Sequence, residues 1–236
     1  MKKKELIISS IIACVSAILF VVIALVVFLN NGETAIDNSV RDTVYSIRGN
    51  QGGFINYLFR IITEFGYLYV AIVIGLIGIV YTGFDRGLIL YVIGFAIQAT
   101  LNIVFKSMFD RERPIVANRW MKDDESSFPS GHSATVAFVY PYITYYMFKM
   151  KKAKWLKYTS LGVTIVMIPL VMLSRLILGM HYFTDTIAGM SIGLFSCAVT
   201  VMLYLLFEKY NLFTNRLINF NINFKRKKKN EETTND

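Results

Sequence analysis

The sequence has little charge and few of the residues that build disulfides and metal centres. Only 17% of its 236 residues are charged while 55% are hydrophobic, and it has two cysteines, two histidines and four prolines. A soluble domain of this length could not bury so much apolar surface, which excludes a soluble globular protein. Cys14 and Cys197 both lie within apolar runs, where a disulfide framework has no reason to form. The composition therefore indicates an integral membrane protein.

Long apolar runs, bounded by charged and turn residues, account for most of the chain. A helix needs about 20 apolar residues to cross the hydrocarbon core of a bilayer, and the runs predict six such helices. They lie near residues 6–29, 65–82, 87–108, 132–148, 157–178 and 184–207. The predicted fold class is therefore all-α, a polytopic bundle of six transmembrane helices. It forms a single domain over residues 1–224, followed by a basic and polar tail at residues 225–236.

Basic residues predict the orientation of these helices. The first run follows Lys2, Lys3 and Lys4, and it is longer than the roughly 7 to 15 apolar residues of a signal peptide, so we expect an uncleaved first helix. If the spans alternate, 16 of the 25 lysines and arginines fall on one side. The positive-inside rule makes that side cytoplasmic. We therefore expect a plasma-membrane protein with both chain ends in the cytoplasm. This bias explains the net charge of +9 without a nucleic-acid partner.

Residues 30–64, between the first two predicted spans, mix apolar and polar side chains at near-helical spacing. This pattern is typical of an amphipathic segment lying in the outer membrane interface. The alternative is a structured extracellular loop without lipid contact. Small residues at Gly75, Gly78, Gly189 and Gly193 could pack helices within one chain or between two, so the sequence leaves the oligomeric state open.

Three short polar stretches fall at the outward ends of the last four predicted spans. In the first, Lys106 and Arg113 stand seven residues apart, where they could anchor the helix end or bind an anion. In the second, Ser130 is a good N-cap for the following helix, and Gly131 leaves backbone N–H groups open to a ligand. An ordinary capped helix start would explain these two residues but not His132, which points to function.

The third polar stretch contains Arg175, His181 and Asp185. On a helical turn, His181 and Asp185 would face the same way, so the carboxylate could hold one imidazole nitrogen while the other faces a substrate. A structural ion pair between Arg175 and Asp185 is the alternative. Zinc binding by both histidines and Asp185 is also conceivable, but Lys106, Arg113 and Arg175 would oppose a dication. Three cations and helix-end N–H groups instead describe a pocket for a phosphate dianion.

Together the three stretches read Lys-x6-Arg-Pro, Pro-Ser-Gly-His and Ser-Arg-x5-His-x3-Asp, and this combination resembles the type 2 phosphatidic acid phosphatase superfamily. The resemblance implies that His181 is the nucleophile, that Asp185 orients it, and that His132 protonates the leaving group. It also implies that no metal or other cofactor is needed and that a further set of residues binds the phosphoryl oxygens. The phosphate-binding residues are Lys106, Arg113, Ser130, Gly131 and Arg175.

The same resemblance implies a lipid substrate, because a site at the outer surface suits a phosphate at headgroup level. We expect a lipid phosphate or diphosphate phosphatase, with undecaprenyl diphosphate as the favoured substrate, hydrolysed to undecaprenyl phosphate in cell-wall biogenesis. Phosphatidylglycerophosphate and phosphatidic acid are the alternatives. A lipid phosphotransferase or a non-enzymatic lipid transporter remains a further alternative.

Overall fold

The structure, a computed structural model, describes residues 2–48, 53–82, 85–114, 126–150, 153–210 and 212. Every regular element within these ranges is an α-helix, which confirms the all-α fold class. In chain order the helices are α1 (Lys2–Leu29), α2 (Ala35–Arg48), α3 (Phe54–Glu64), α4 (Leu68–Thr82), α5 (Arg86–Phe109), α6 (Gly131–Lys149), α7 (Lys154–Ile177) and α8 (Phe183–Lys209). The predicted tail at 225–236 lies outside the described residues.

Four of these helices are long and apolar enough to cross a membrane, namely α1, α5, α7 and α8. The predicted span at 65–82 corresponds to α4 alone, and α4 forms a pair with α3 that is bent by 48°. Counted as one broken span, this pair raises the number of candidate crossings to five. A multi-pass membrane protein is therefore confirmed, while the count of six transmembrane helices stays a prediction.

Helix α6 is the predicted span that is too polar to be counted with the others. It has 19 residues, among them four tyrosines, Pro141 and a polar first turn. Most of its first nine residues are buried against neighbouring helices. Since protein rather than lipid surrounds much of α6, it does not need the uniformly apolar surface of a lipid-facing helix.

Helices α6 and α8 pack closely through two glycines one turn apart on α8. A Cβ atom built on Gly189 would lie 2.2 Å from the carbonyl oxygen of Ser130, and one built on Gly193 would lie 2.3 Å from that of Ala134. Small residues allow helix backbones to approach in this way. Gly189 and Gly193 therefore pack helices within one chain, and they set the start of α6 beside the start of α8.

Two apolar clusters hold α1, α4 and α5 around this pair. One includes Tyr91 of α5 with Phe138 and Tyr142 of α6, and the other joins Phe20 of α1 to Phe128, just before α6. As a result, the C-terminal ends of α5 and α7 and the N-terminal ends of α6 and α8 meet at one end of the bundle. All three polar stretches of the sequence lie at this end.

Helices α2 and α3 confirm the helical character predicted for residues 30–64. They pack against α7 and α8 near the same end of the bundle. Their outer faces carry exposed apolar side chains, including Ile36, Ile47, Phe54 and Tyr57. The inward faces bury the polar residues Asp37, Asn56 and Thr63.

Candidate active site

A cavity of about 440 Å³ opens where α4, α5, α6 and α7 come together with the turn that precedes α8. Six of the eight predicted site residues line it: Lys106, Arg113, Gly131, His132, Arg175 and His181. The other two, Ser130 and Asp185, are buried directly behind the wall. Residues from three separate stretches of the sequence thus meet around one space large enough for a phosphate group.

His181 lies in the tight turn between α7 and α8. The turn passes through Gly179, whose φ of 68° suits glycine, and Met180 donates its N–H to the Arg175 carbonyl at 3.0 Å. The His181 Nδ1 atom lies 2.8 Å from the Ser127 carbonyl oxygen. Because a carbonyl only accepts, Nδ1 carries the proton and Nε2 keeps its lone pair. Nε2 lies 3.5 Å from Arg113 Nη1 on the cavity wall, where it can act as a nucleophile.

The surroundings of His181 favour its neutral form. Its side chain is 4% exposed, and this burial lowers its pKa well below 6.5. The positive charges of Arg175, Arg113 and Lys106 lower the pKa further, against a smaller opposing effect of the Ser127 carbonyl. An imidazole must be neutral to attack phosphorus, and His181 is in this form in the free site at neutral pH.

Three basic side chains surround the cavity, each held by a different helix or loop. Arg113 donates from Nη1 to the Met180 carbonyl at 2.9 Å, and Arg175 donates from Nη1 to Thr63 Oγ1 at 2.9 Å. Lys106 lies in the last turn of α5. Arg175 is only 1% exposed. Cations are costly to bury at the end of a membrane bundle unless they meet negative charge, so the cavity is suited to a dianion.

His132, the second residue of α6, faces His181 across the cavity. Within the described part of the chain, its buried Nε2 atom has no hydrogen-bond partner. The imidazole ring is held instead by an edge-on contact with the Tyr67 ring, at 4.3 Å between centroids. A nitrogen in this position can exchange a proton with a bound ligand.

Ser130 and Gly131 form the start of α6 in different ways. The Ser130 hydroxyl is fully buried and caps the helix, accepting from the Ser133 N–H at 3.4 Å. It is not part of the cavity wall, so its predicted contact with phosphate stays a prediction. Gly131 does line the cavity, and a Cβ atom there would come within 3.3 Å of Asn102 Oδ1. Its backbone is therefore open to a ligand, as expected for an anion site at a helix start.

Asp185 is fully buried behind His181 rather than in the cavity. Its Oδ2 atom accepts the Tyr182 N–H at 2.8 Å and lies 3.5 Å from His181 Nδ1. Its Oδ1 atom lies 2.5 Å from Arg111 Nη1. The carboxylate is thus on the predicted side of the imidazole, but the Ser127 carbonyl is the nearer acceptor.

Several polar residues around the site were not predicted from the sequence. Thr63 holds Arg175, while Arg111 and Asp37 lie behind Asp185. The spacing of Thr34 and Asp37 is a helix-start signal, and Asp37 N–H does donate to Thr34 Oγ1 at 3.2 Å. That signal would have given Asp37 a local role only, because its contacts with Arg111 join residues 74 positions apart.

A buried neutral imidazole, a second histidine and three cations around one cavity, at the end of a membrane helix bundle, are the groups expected of a membrane-bound enzyme of phosphoryl chemistry. Comparison with known proteins identifies the family. A family model described as the PAP2 superfamily matches residues 87–209, and the chain belongs to this family. The family resemblance predicted from the three motifs is confirmed.

Relatives of known name agree with this assignment. The chain is 32% identical over 188 residues to phosphatidylglycerophosphatase B of Bacillus subtilis, covering 76% of this chain and 89% of that protein. Its fold matches the crystal structure of a transmembrane PAP2-type phosphatidylglycerolphosphate phosphatase from Bacillus subtilis. That match has a TM-score of 0.68 and 26% identity, and covers 86% of this chain and 98% of the other. The protein is therefore a lipid phosphatase.

A more distant structure shares the fold alone. Aquifex aeolicus LpxE superimposes with a TM-score of 0.58 at 16% identity, covering 73% of this chain and 98% of that one. The bundle architecture is thus retained at low sequence identity.

Proposed function

We propose that the protein hydrolyses the phosphate of a membrane lipid through a phosphohistidine formed on His181, without a metal ion. One observation carries the proposal: His181 Nε2 borders a cavity lined by Lys106, Arg113 and Arg175, while Nδ1 is occupied by the Ser127 carbonyl at 2.8 Å. This arrangement leaves a single nitrogen of the imidazole free to attack phosphorus. That nitrogen lies among positive charges that bind the phosphoryl oxygens.

In the first step, the Nε2 lone pair attacks phosphorus as the bond to the leaving oxygen breaks. The imidazole then carries positive charge, which the Ser127 carbonyl and the Asp185 carboxylate stabilise from the Nδ1 side. His132 gives its proton to the leaving oxygen, which departs as the hydroxyl of the lipid or as a lipid phosphate. The three cations and the Gly131 N–H stabilise the charge on the equatorial oxygens.

In the second step, water attacks the phosphohistidine and restores the free enzyme. His132, now neutral, accepts a proton from the water as it attacks, reversing its part in the first step. The products are inorganic phosphate and a neutral His181. No other group is consumed, so the proposed reaction requires no cofactor.

The lining of the cavity supports a lipid substrate. Beyond the cations, the cavity is bordered by Leu68, Phe95, Ala99 and Ile103, which lead along α4 and α5. This gives an apolar route for a chain that remains in the bilayer while its phosphate reaches His181. A water-soluble phosphate would not need such a wall.

Phosphatidylglycerophosphate is the first lipid to test, because the relatives that resemble this chain carry that substrate in their names. Undecaprenyl diphosphate, favoured from the sequence, is the second, and phosphatidic acid the third. A phosphotransferase would pass the phosphoryl group from His181 to a lipid hydroxyl instead of water. A lipid transporter would bind the same lipids without cleaving them.

In the membrane, we propose that α3 and α4 form one bent span and α6 another, which gives six crossings. The lysines at the start of α1 and between α6 and α7 favour the cytoplasm for the opposite end of the bundle from the cavity. The active site then opens at the extracellular face of the plasma membrane.

The proposal is tested by measuring phosphate release from the three lipids in detergent, with chelator present, for the wild type and His181→Ala. We expect chelator-resistant release that His181→Ala abolishes, and an acid-labile phosphoenzyme in the wild type alone. Release that survives in His181→Ala, or that chelator abolishes, would contradict the mechanism. Labelled phosphate passing to a lipid acceptor would identify a transferase, and binding without release a transporter.

A further inference from the structure

Arg111 lies between the two cations of the first polar stretch, but its side chain turns away from the cavity. It is 5% exposed, and its guanidinium carbon lies 4.1 Å from the centre of the Tyr182 ring. From Nη1 it donates to Asp185 Oδ1 at 2.5 Å and Thr184 Oγ1 at 2.8 Å, and from Nη2 to Asp37 Oδ2 at 2.8 Å. The arginine therefore joins two buried carboxylates from different helices.

The two groups that face His181 Nδ1 are both held by Arg111. The guanidinium holds the Asp185 carboxylate, whose other oxygen is fixed by the Tyr182 N–H. The main chain of Arg111 holds the segment that supplies the Ser127 carbonyl, since the Ser127 N–H donates to the Arg111 carbonyl at 2.8 Å. One residue thus sets both acceptors of the proton on the nucleophile.

Asp37 in turn fixes Arg111. It is 1% exposed, and both of its carboxylate oxygens are in use. Oδ2 accepts from Thr34 Oγ1, Thr184 Oγ1 and Arg111 Nη2, each at 2.8 Å, and Oδ1 accepts the Thr184 N–H at 2.9 Å. A carboxylate with this many donors has one orientation available to it. It ties the start of α2 to the start of α8.

The net charge behind His181 also depends on the contacts of Arg111 with Asp37 and Asp185. Asp37 and Asp185 would repel each other at close range, and the single positive charge of Arg111 between them leaves one net negative charge beside the imidazole. That charge is available to stabilise the imidazolium formed when His181 takes the phosphoryl group. Removing the guanidinium would leave two buried carboxylates without a cation.

We propose that Arg111 and Asp37 are positioning residues of the catalytic reaction, acting on His181 through Asp185 and Ser127. Neither touches the substrate. They hold the hydrogen-bond acceptors of the nucleophile in place, so their loss slows the chemical step without weakening lipid binding. This inference rests on the proposed role of His181 as nucleophile.

The test uses Arg111→Gln and Asp37→Asn, which remove a charge while keeping polar side chains. We expect each to lower kcat at least about tenfold, since a misplaced reacting group costs rate steeply. KM should stay within about twofold of the wild type, because the phosphate-binding side chains are untouched. Arg111→Lys, which keeps the charge, should recover part of the rate. Asp42→Asn, on the exposed side of α2, removes a carboxylate as Asp37→Asn does; it is the matched control and should leave the rate unchanged.

A double-mutant comparison distinguishes positioning from general loss of structure. If Arg111 acts through Asp185, the variant with both Arg111→Gln and Asp185→Asn should be about as slow as the slower single variant. Rate losses that multiply, a loss confined to KM, or wild-type kcat in Arg111→Gln would overturn the proposal. Should Arg111→Gln fail to fold, Asp37→Asn paired with Asp185→Asn decides the same question.

His181→Ala keeps the outcomes separate. If His181→Ala retains activity, the proposed function itself fails. If His181→Ala is inactive while both Arg111→Gln and Asp37→Asn turn over at the wild-type rate, only the positioning role is wrong.

Discussion

The close approach of α6 and α8 at Gly189 makes a sharp prediction about a methyl group. In Gly189→Ala, the new Cβ would meet the Ser130 carbonyl oxygen at 2.2 Å, whereas ordinary contact begins near 3.4 Å. The carbonyl must therefore retreat by about 1 Å, or the helices must separate by a similar distance. Ser130 caps α6 and is followed directly by Gly131 and His132, so the displacement reaches the cavity wall.

The expected size of the effect follows from this displacement. Overpacking a close contact costs about 1 to 3 kcal/mol, and the higher helix propensity of alanine returns about 1 kcal/mol. Stability should therefore fall modestly. Activity should fall much more, because a misplacement of about 1 Å at a reacting group costs about 100-fold in rate.

The assay compares Gly189→Ala with Gly162→Ala, measuring phosphate release and thermal unfolding in the same detergent. Gly162 lies in α7, and a Cβ atom built there meets nothing within 4 Å, so this control should keep wild-type activity and be at least as stable as the wild type. Wild-type turnover in Gly189→Ala would refute the reasoning, since the start of α6 would then not depend on the close approach. Equal losses in both variants would refute it as well.

Three further predictions concern the cavity itself. Because the pKa of His181 lies well below 6.5, kcat/KM should stay constant as pH falls through 6.5 and decline only at lower pH. Lys106→Gln removes a positive charge that lowers this pKa, so the decline should move to higher pH. His132→Ala should abolish turnover of lipids, whose leaving oxygen needs a proton, yet still release one equivalent of nitrophenol per enzyme from nitrophenyl phosphate. Thr63→Val should lower kcat/KM about tenfold by removing the acceptor for Arg175, because a hydrogen bond to a charged group contributes about 1.5 kcal/mol or more, and Thr63→Ser should restore the rate.

Each of these has a result that contradicts it. An acid limb at the same pH in Lys106→Gln would mean that the group titrating there is the substrate phosphate and not His181. Absence of a nitrophenol burst in His132→Ala would move its role away from leaving-group protonation. Equal rates in Thr63→Val and Thr63→Ser would leave the Arg175 contact without function.

Most long helices were predictable because a membrane span needs a long apolar run, and the charges at its ends limit its length. The predicted 87–108 and 184–207 differ from α5 and α8 by one or two residues at each end. The predicted boundary between residues 64 and 65 agrees with the end of α3 at Glu64, but the pairing of α3 with α4 across a bend of 48° was not predicted. Contacts distant in sequence flank this bend, because Thr63 holds Arg175 on α7 and the Tyr67 ring packs against His132.

The cavity was predictable for a similar reason: the three polar stretches are unusual in so apolar a chain, and the alternating spans bring them to one end. The residues behind the cavity were not. Asp37 belongs to the amphipathic pattern of residues 30–64, and Arg111 is one of three basic residues in a short stretch where the sequence does not tell which faces inward. Their roles arise from contacts between helices distant in sequence, which periodicity cannot reveal.

The position of the cavity at one end of the bundle has a consequence for the lipids it uses. The phosphate must come from the leaflet on that side, since the rest of the bundle is filled by two apolar clusters that no headgroup could cross. A lipid phosphorylated on the opposite leaflet becomes a substrate only after another protein has moved it across the bilayer. For such a lipid, transbilayer movement is a step that must precede the chemistry proposed at His181.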